Sequence, residues 1–527
     1  MQIVVDIILF LIILLTFLLI VVWIWKFWSM YVAQKFLNDM DFVMFEIKLP
    51  REIFKSPEAM EIIANAFLQG GGVGNWYNRN WKGAVPTFFS LEIASLEGDV
   101  KFFVRCEKKF SQLIKNNFYS QYPGIQMLES EDYISSIFYE HRSKVVSVWG
   151  LTNKLKESFT LPKLPGKERD TFEDDDLKMP ADFRMLKTYV DYKQDKDPKE
   201  EFEHDPLTPV LEWLGSMRKG EYAYYQLIVQ DEDRFNGKHF PKTYYSSTTH
   251  EEFSLKDLAN ERRKQIRNRI KEGHKKGEVV IDDYGNEKTK NIKKEDGTTE
   301  EVPLTYGKDI EVKLEEKKEP EISYEEQEEL KIINRKLSKP LLRTTMRVMY
   351  LAKSDVANIG QNVQSLLSTF KQYAGPGPIN NGFAPSPSDP YDYSWENTKK
   401  RRTPWRGEEL FESYIEREGF YPHIQSRSKS SKWFSRIFFF LPGGGLWGVD
   451  HFSDVYLFNK DMGYRKMFRL MYEGFVHPFE HPHPDEVFII NLEELASLWH
   501  LPGTVSTTPG IKRIDSITNQ APNNLPR

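Results

Sequence analysis

The sequence predicts an α+β protein: an N-terminal transmembrane helix, a ferredoxin-like β-α-β-β-α-β domain, and a second α+β domain with a charged helical insertion. Three observations carry this. An apolar run broken only by Thr16 stands near the N-terminus, strand and helix patterns then alternate between Asp41 and Ser130, and a second strand–helix set resumes at Asp205.

From Ile7 to Trp25 the only polar side chain is Thr16. That length suits a helix crossing a hydrocarbon core of roughly 30 Å. Trp23, Trp25 and Trp28 follow where indoles favour the headgroup zone, and Lys26, Lys35 and Lys48 lie only beyond the run. A basic start and a small-residue cleavage site are both missing, so the pattern predicts a retained anchor with residues 7–25 in the bilayer. The charge bias predicts a single-pass inner-membrane protein with its body in the cytoplasm.

"DFVMFEIKL" alternates apolar and polar residues and predicts a strand over Asp41–Leu49. Ser56-Pro57 followed by an acid predicts a helix start. "TFFSLEIASLEGDVKFFVRC" predicts two strands about a tight turn at Glu97–Asp99. The amphipathic "EKKFSQLIKNNFYSQ" and the short "IQMLES" complete a split βαβ arrangement. The domain divisions follow: residues 1–40 anchor and exit helix, 41–135 first domain, 136–204 polar linker with connecting strands. A second α+β domain covers 205–374, with a charged insertion at 250–340 expected to project or to stay without a packed core. A loop-rich aromatic and basic region (375–484) and a leucine-rich helix with a tail (485–527) end the chain.

The net charge of −5 gives no global basic footprint for nucleic acid. A single cysteine, Cys106, excludes an intrachain disulfide and any cysteine-rich zinc site. "FLQGGGVGNW" and "LPGGGLWG" are rich in glycine, yet neither has the Lys-Ser or Lys-Thr that a phosphate-binding loop needs. No G-x-x-x-x-G-K-[ST] occurs anywhere, so no ATP cofactor, catalytic residue or metal ligand is assigned. Two alternatives stay open. His477, His481 and His483 carry nitrogen ligands suited to a divalent metal, which would make the chain a metal-dependent hydrolase. Arg401, Arg402 and Arg406, beside Trp405, are candidates for contact with an anionic partner such as nucleic acid or lipid.

Three stretches, Phe89–Tyr133, Asp205–Gln230 and Phe488–Arg513, occur in an order that resembles the segment preceding the motor in type IV secretion and conjugation-type ATPases of the HerA/FtsK-like superfamily. The membrane-anchored version is common in candidate-phyla bacteria. In those proteins "EELASLWHLPG" is similar to a motif just before the ATPase core. The resemblance implies a non-enzymatic, membrane-anchored scaffold or adaptor for a separately encoded motor ATPase. The relatives' hexamers make a homo-oligomer a further expectation. The apolar face of the leucine-rich helix, Leu492, Leu495, Leu498 and Trp499, is the candidate partner-docking surface. Packing onto the chain's own core is the alternative that such faces more often follow, and it is favoured over docking.

Overall fold

The structure, a computed structural model, describes residues 39–51, 56–69, 76–136, 146–155, 178–192, 205–232, 251–271, 323–353, 355–377, 382–387, 487–503 and 510–514, with shorter pieces between and before them. Among the described residues, mixed α and β elements build one largely antiparallel sheet of ten strands, with short parallel pairings of Leu49–Pro50 with Arg513–Ile514 and of Val100 with Ile511.

The first half contains β1 (Phe42–Pro50), α1 (Glu58–Ala64), α2 (Trp76–Asn80), β2 (Phe89–Leu96), β3 (Asp99–Glu107), α3 (Ser111–Gln121) and β4 (Gln126–Ser130). Its strands lie in the order β4-β1-β3-β2, the order of a split βαβ unit. The β2–β3 hairpin closes through Glu97 and Gly98, both at positive φ, the geometry that a two-residue hairpin turn requires. A side chain at Gly98 would also meet the Met217 carbonyl at 2.7 Å.

A second unit follows: β5 (Val146–Leu155), the small hairpin β6 (Ser158–Thr160) and β7 (Lys178–Pro180), α4 (Thr208–Gly215) and β8 (Glu221–Asp231). An excursion then adds β9 (Tyr244–Ser246), β10 (Glu251–Phe253), α5 (Leu255–Lys271), β11 (Thr289–Lys293), β12 (Thr299–Pro303) and α6 (Tyr324–Ser338). The unit resumes with β13 (Leu341–Lys353), α7 (Ile359–Thr369) and β14 (Phe383–Pro387). Its order is β14-β5-β13-β8, which repeats the topology of the first half. The two second strands, β2 and β8, pair antiparallel from Phe89↔Val229 to Leu96↔Tyr222 and join both units into one sheet. Thus β5, within the stretch read as a linker, is the first strand of the second unit.

Alternation in the central strands fills one face with Phe45, Leu91, Phe102, Tyr225 and Val348, under the helices. The opposite face carries Met44, Phe103, Tyr224 and Met349, covered by Tyr133, Phe411 and Tyr414. The inserted helices do not project as a polar arm. Leu255, Leu258 and Ala259 of α5 and Ile333 of α6 pack with Ala181, Phe183 and Leu341. Ser323 and Glu326 form a reciprocal capping box at the start of α6.

One expectation is corrected. Among the described residues no helix is long and apolar enough to cross a membrane, so the N-terminal transmembrane helix is not supported. An apolar run of that length is necessary for a span but does not by itself produce one. Downstream of the run the chain turns onto the body: Ala33 and Leu37 are buried with Val85, Phe88 and Ile228.

Candidate functional site

The strand–helix pair β15 (Phe488–Asn491) and α8 (Leu492–Leu498) is where the sequence resemblance meets the fold. Phe488-Ile489-Ile490 suits a strand buried on both faces, and it pairs antiparallel with Leu341–Thr344 at the start of β13. Asn491 then caps the helix: its side chain accepts from the Glu494 amide, while the Glu494 carboxylate accepts from the Asn491 amide. Every residue of α8 is buried. Trp499 lies edge-on to Phe102 at 6.0 Å and Phe118 at 6.3 Å. The Tyr225 hydroxyl donates to the Leu498 carbonyl (2.9 Å).

The polar side of α8 is closed by ion pairs. Lys336 of α6 is fully buried and its ammonium donates to the Ile489 carbonyl (2.8 Å), the Arg184 carbonyl (3.3 Å) and Glu494. Three donors meet three acceptors. Burial pushes the Glu494 carboxyl above its ordinary value, a rise that the Lys336 charge and the Asn491 and Leu186 amides only partly oppose. Glu493 accepts from Thr188 (2.6 Å) and pairs with Arg335 and Lys339 (3.0 Å). Lys339 also reaches Glu61 of α1 at 2.7 Å. At the far end, His500 Nδ1 faces the Ala496 carbonyl (2.8 Å) and Nε2 faces Asp205 (3.2 Å). Neither partner can donate once Asp205 is ionised, so an imidazolium satisfies both contacts. Burial alone would raise the Asp205 carboxyl, but His500 and the Leu207 amide hold it below its usual value.

A second ionic cluster lies on the opposite face of the sheet, beside Tyr133 and Tyr414. Glu92, in the middle of β2, receives Arg417 through two nitrogens (3.0 and 3.1 Å), Ser90 (2.5 Å) and Tyr133 (2.7 Å). Arg417 also binds Asp132 and stands at positive φ. Burial works to raise the Glu92 carboxyl, yet Arg417 and the hydroxyl donors bring it down to about 2. The folded value lies below the unfolded one, so this contribution is present above pH 4.5 and fades as pH falls towards 2. The shift corresponds to stability on the order of 3 kcal/mol. Glu494 has the opposite sign and offsets part of it. Urea titrations between pH 5 and pH 2.5 are expected to show a steep fall in stability that Glu92→Gln flattens.

Chemically, both clusters are closed. Each carboxylate is engaged by a cation, and among the described residues no three His, Cys, Asp or Glu side chains gather to hold a metal. Cys106 is buried in β3 and its thiol is pushed up to about 12, mainly by burial.

Of the residues singled out from the sequence, Leu492, Leu495, Leu498 and Trp499 are gathered together, but inside the core. Their exposure as a docking face is therefore corrected: α1, α3 and the sheet already cover them. Arg401, Arg402 and Arg406, the histidines His477, His481 and His483, and both glycine runs lie outside the described residues. Sequence reasoning missed Lys336, Glu493, Glu494, Glu92 and Arg417. A capping-box spacing at Asn491 and Glu494 was the available signal for one of them; the rest owe their roles to partners far away in the chain. A scan against protein-family models finds no match, and searches of curated proteins and of solved structures also return none.

Proposed function

We propose that this protein is a non-enzymatic scaffold of a type IV secretion- or conjugation-like translocation system, an adaptor for a separately encoded motor ATPase. The observation that supports it most is the placement of residues 488–501. The element similar to the one preceding the motor in the ATPases is tied to β13 of the second unit and to Phe102 and Phe118 of the first. A load applied next to it passes into the whole sheet rather than into a hinge. The docking surface for the motor is not the leucine face, which is used up internally, so it must be an exposed part of the same rigid body.

Affinity purification of the full chain from mild detergent extract is expected to recover a motor ATPase in stoichiometric amount. Recovery of the chain without any ATPase in several detergents, or ATP turnover by the purified chain itself, would refute the proposal.

A further inference from the structure

We propose that Trp25, Trp28, Tyr77 and Trp81 form an aromatic collar that binds the interfacial zone of a lipid bilayer and fixes how the body faces it. This contact requires no crossing of the membrane and does not rest on the adaptor reading.

The collar brings together two distant segments. Trp81 stands edge-on between Trp25 (6.3 Å) and Trp28 (5.6 Å). The Trp28 indole N–H donates to the Asn80 carbonyl at 3.2 Å. Close by, Gly83 at φ +68° lies against residues 32–33, where an added Cβ would sit 2.1 Å from the Val32 carbonyl oxygen. Ala33 and Leu37 continue the seam into the cluster of Val85 and Phe88. The N-terminal segment is therefore riveted to the body at this point.

All four rings are nevertheless exposed: Trp25 and Trp28 by 37%, Trp81 by 46% and Tyr77 by 56%. Most of the other large exposed apolar residues lie just ahead of them, at Val5, Ile7, Leu9, Phe10, Ile13, Leu14, Phe17 and Val21. An apolar surface of this extent marks a contact. Its gradient identifies the partner. After the exposed Asp6 come uncharged aliphatic residues with Phe10 and Phe17, then indole and phenol rings, then Lys82 at 5.8 Å from the Tyr77 ring. Hydrocarbon, interface and phosphate succeed one another in the same order across a leaflet. A protein hot spot has its aromatics at the centre, ringed by polar residues, and this patch is not built that way.

The test labels the full chain at single introduced cysteines with an environment-sensitive dye. Buried Cys106, with its thiol pushed up to about 12, leaves the new thiol as the reactive one. Tyr77→Cys reports on the collar. Leu128→Cys, exposed on the edge strand β4, reports on a surface expected to stay in water. With phosphatidylcholine vesicles, the label at position 77 is expected to shift to the blue and to be quenched by lipids carrying a nitroxide near the headgroup. The label at position 128 is expected not to change. The proposal is overturned by an unchanged signal at 77, by equal shifts at both positions, or by a shift that needs anionic lipid and disappears in about 0.5 M salt.

Discussion

Lys336→Met is expected to destabilise the protein by about 3–5 kcal/mol, because it removes the cation that opposes the burial of Glu494 and leaves that carboxyl uncompensated in a buried site. The substitution nearly preserves side-chain volume, so the loss reads the charge and not a cavity. Adding Glu494→Gln removes the carboxylate, but its single carbonyl keeps only one of the two backbone bonds that Glu494 makes through separate oxygens, from Asn491 (2.9 Å) and Leu186 (2.8 Å), and its NH2 faces the other amide. The double variant is therefore expected to recover part of the loss, with a coupling energy readable in a double-mutant cycle measured by urea unfolding. A single-variant cost below about 1 kcal/mol would mean that water reaches the pair.

Trp499→Ala is expected to cost a similar 3–5 kcal/mol, through lost burial and the cavity left between Phe102 and Phe118. Trp499→Phe should recover part of it, since a smaller ring keeps the edge-on contacts. The competing expectation, that this side chain serves a partner, predicts nearly unchanged stability of the isolated chain. Equilibrium unfolding separates the two outcomes without knowledge of any partner.

Local pattern made the first unit readable. Val43, Phe45, Ile47 and Leu49 face the helices as their alternation demands, and Glu97-Gly98 closes the hairpin at the turn residues themselves. The second unit was harder to see because its pieces are separated: an excursion splits β8 from β13. Its opening strand β5 contains Gly150 within "VSVWGLTNKL" and is defined by pairing with Met346–Lys353. In the leucine-rich helix the sequence showed the apolar face but not how the other side is closed. Glu493 and Glu494 look like a solvated face, but Lys336, Lys339 and Arg335, brought by α6 from more than 150 residues upstream, neutralise that face and bury it. Arg417 against Glu92 is the same kind of event, with 325 positions between the partners. Periodicity reports which side of an element is apolar; it carries no information about a cation arriving from elsewhere.

The place of Trp499 has a consequence for biosynthesis. Phe118 leaves the ribosome 381 residues before the indole that completes its surroundings (499 − 118). At elongation rates of about 5–20 residues per second, that interval lasts on the order of 20–80 s. Throughout it the first four strands exist with an unfilled notch among their aromatic rings. The core around Phe118 is therefore completed only after residues 488–501 have emerged.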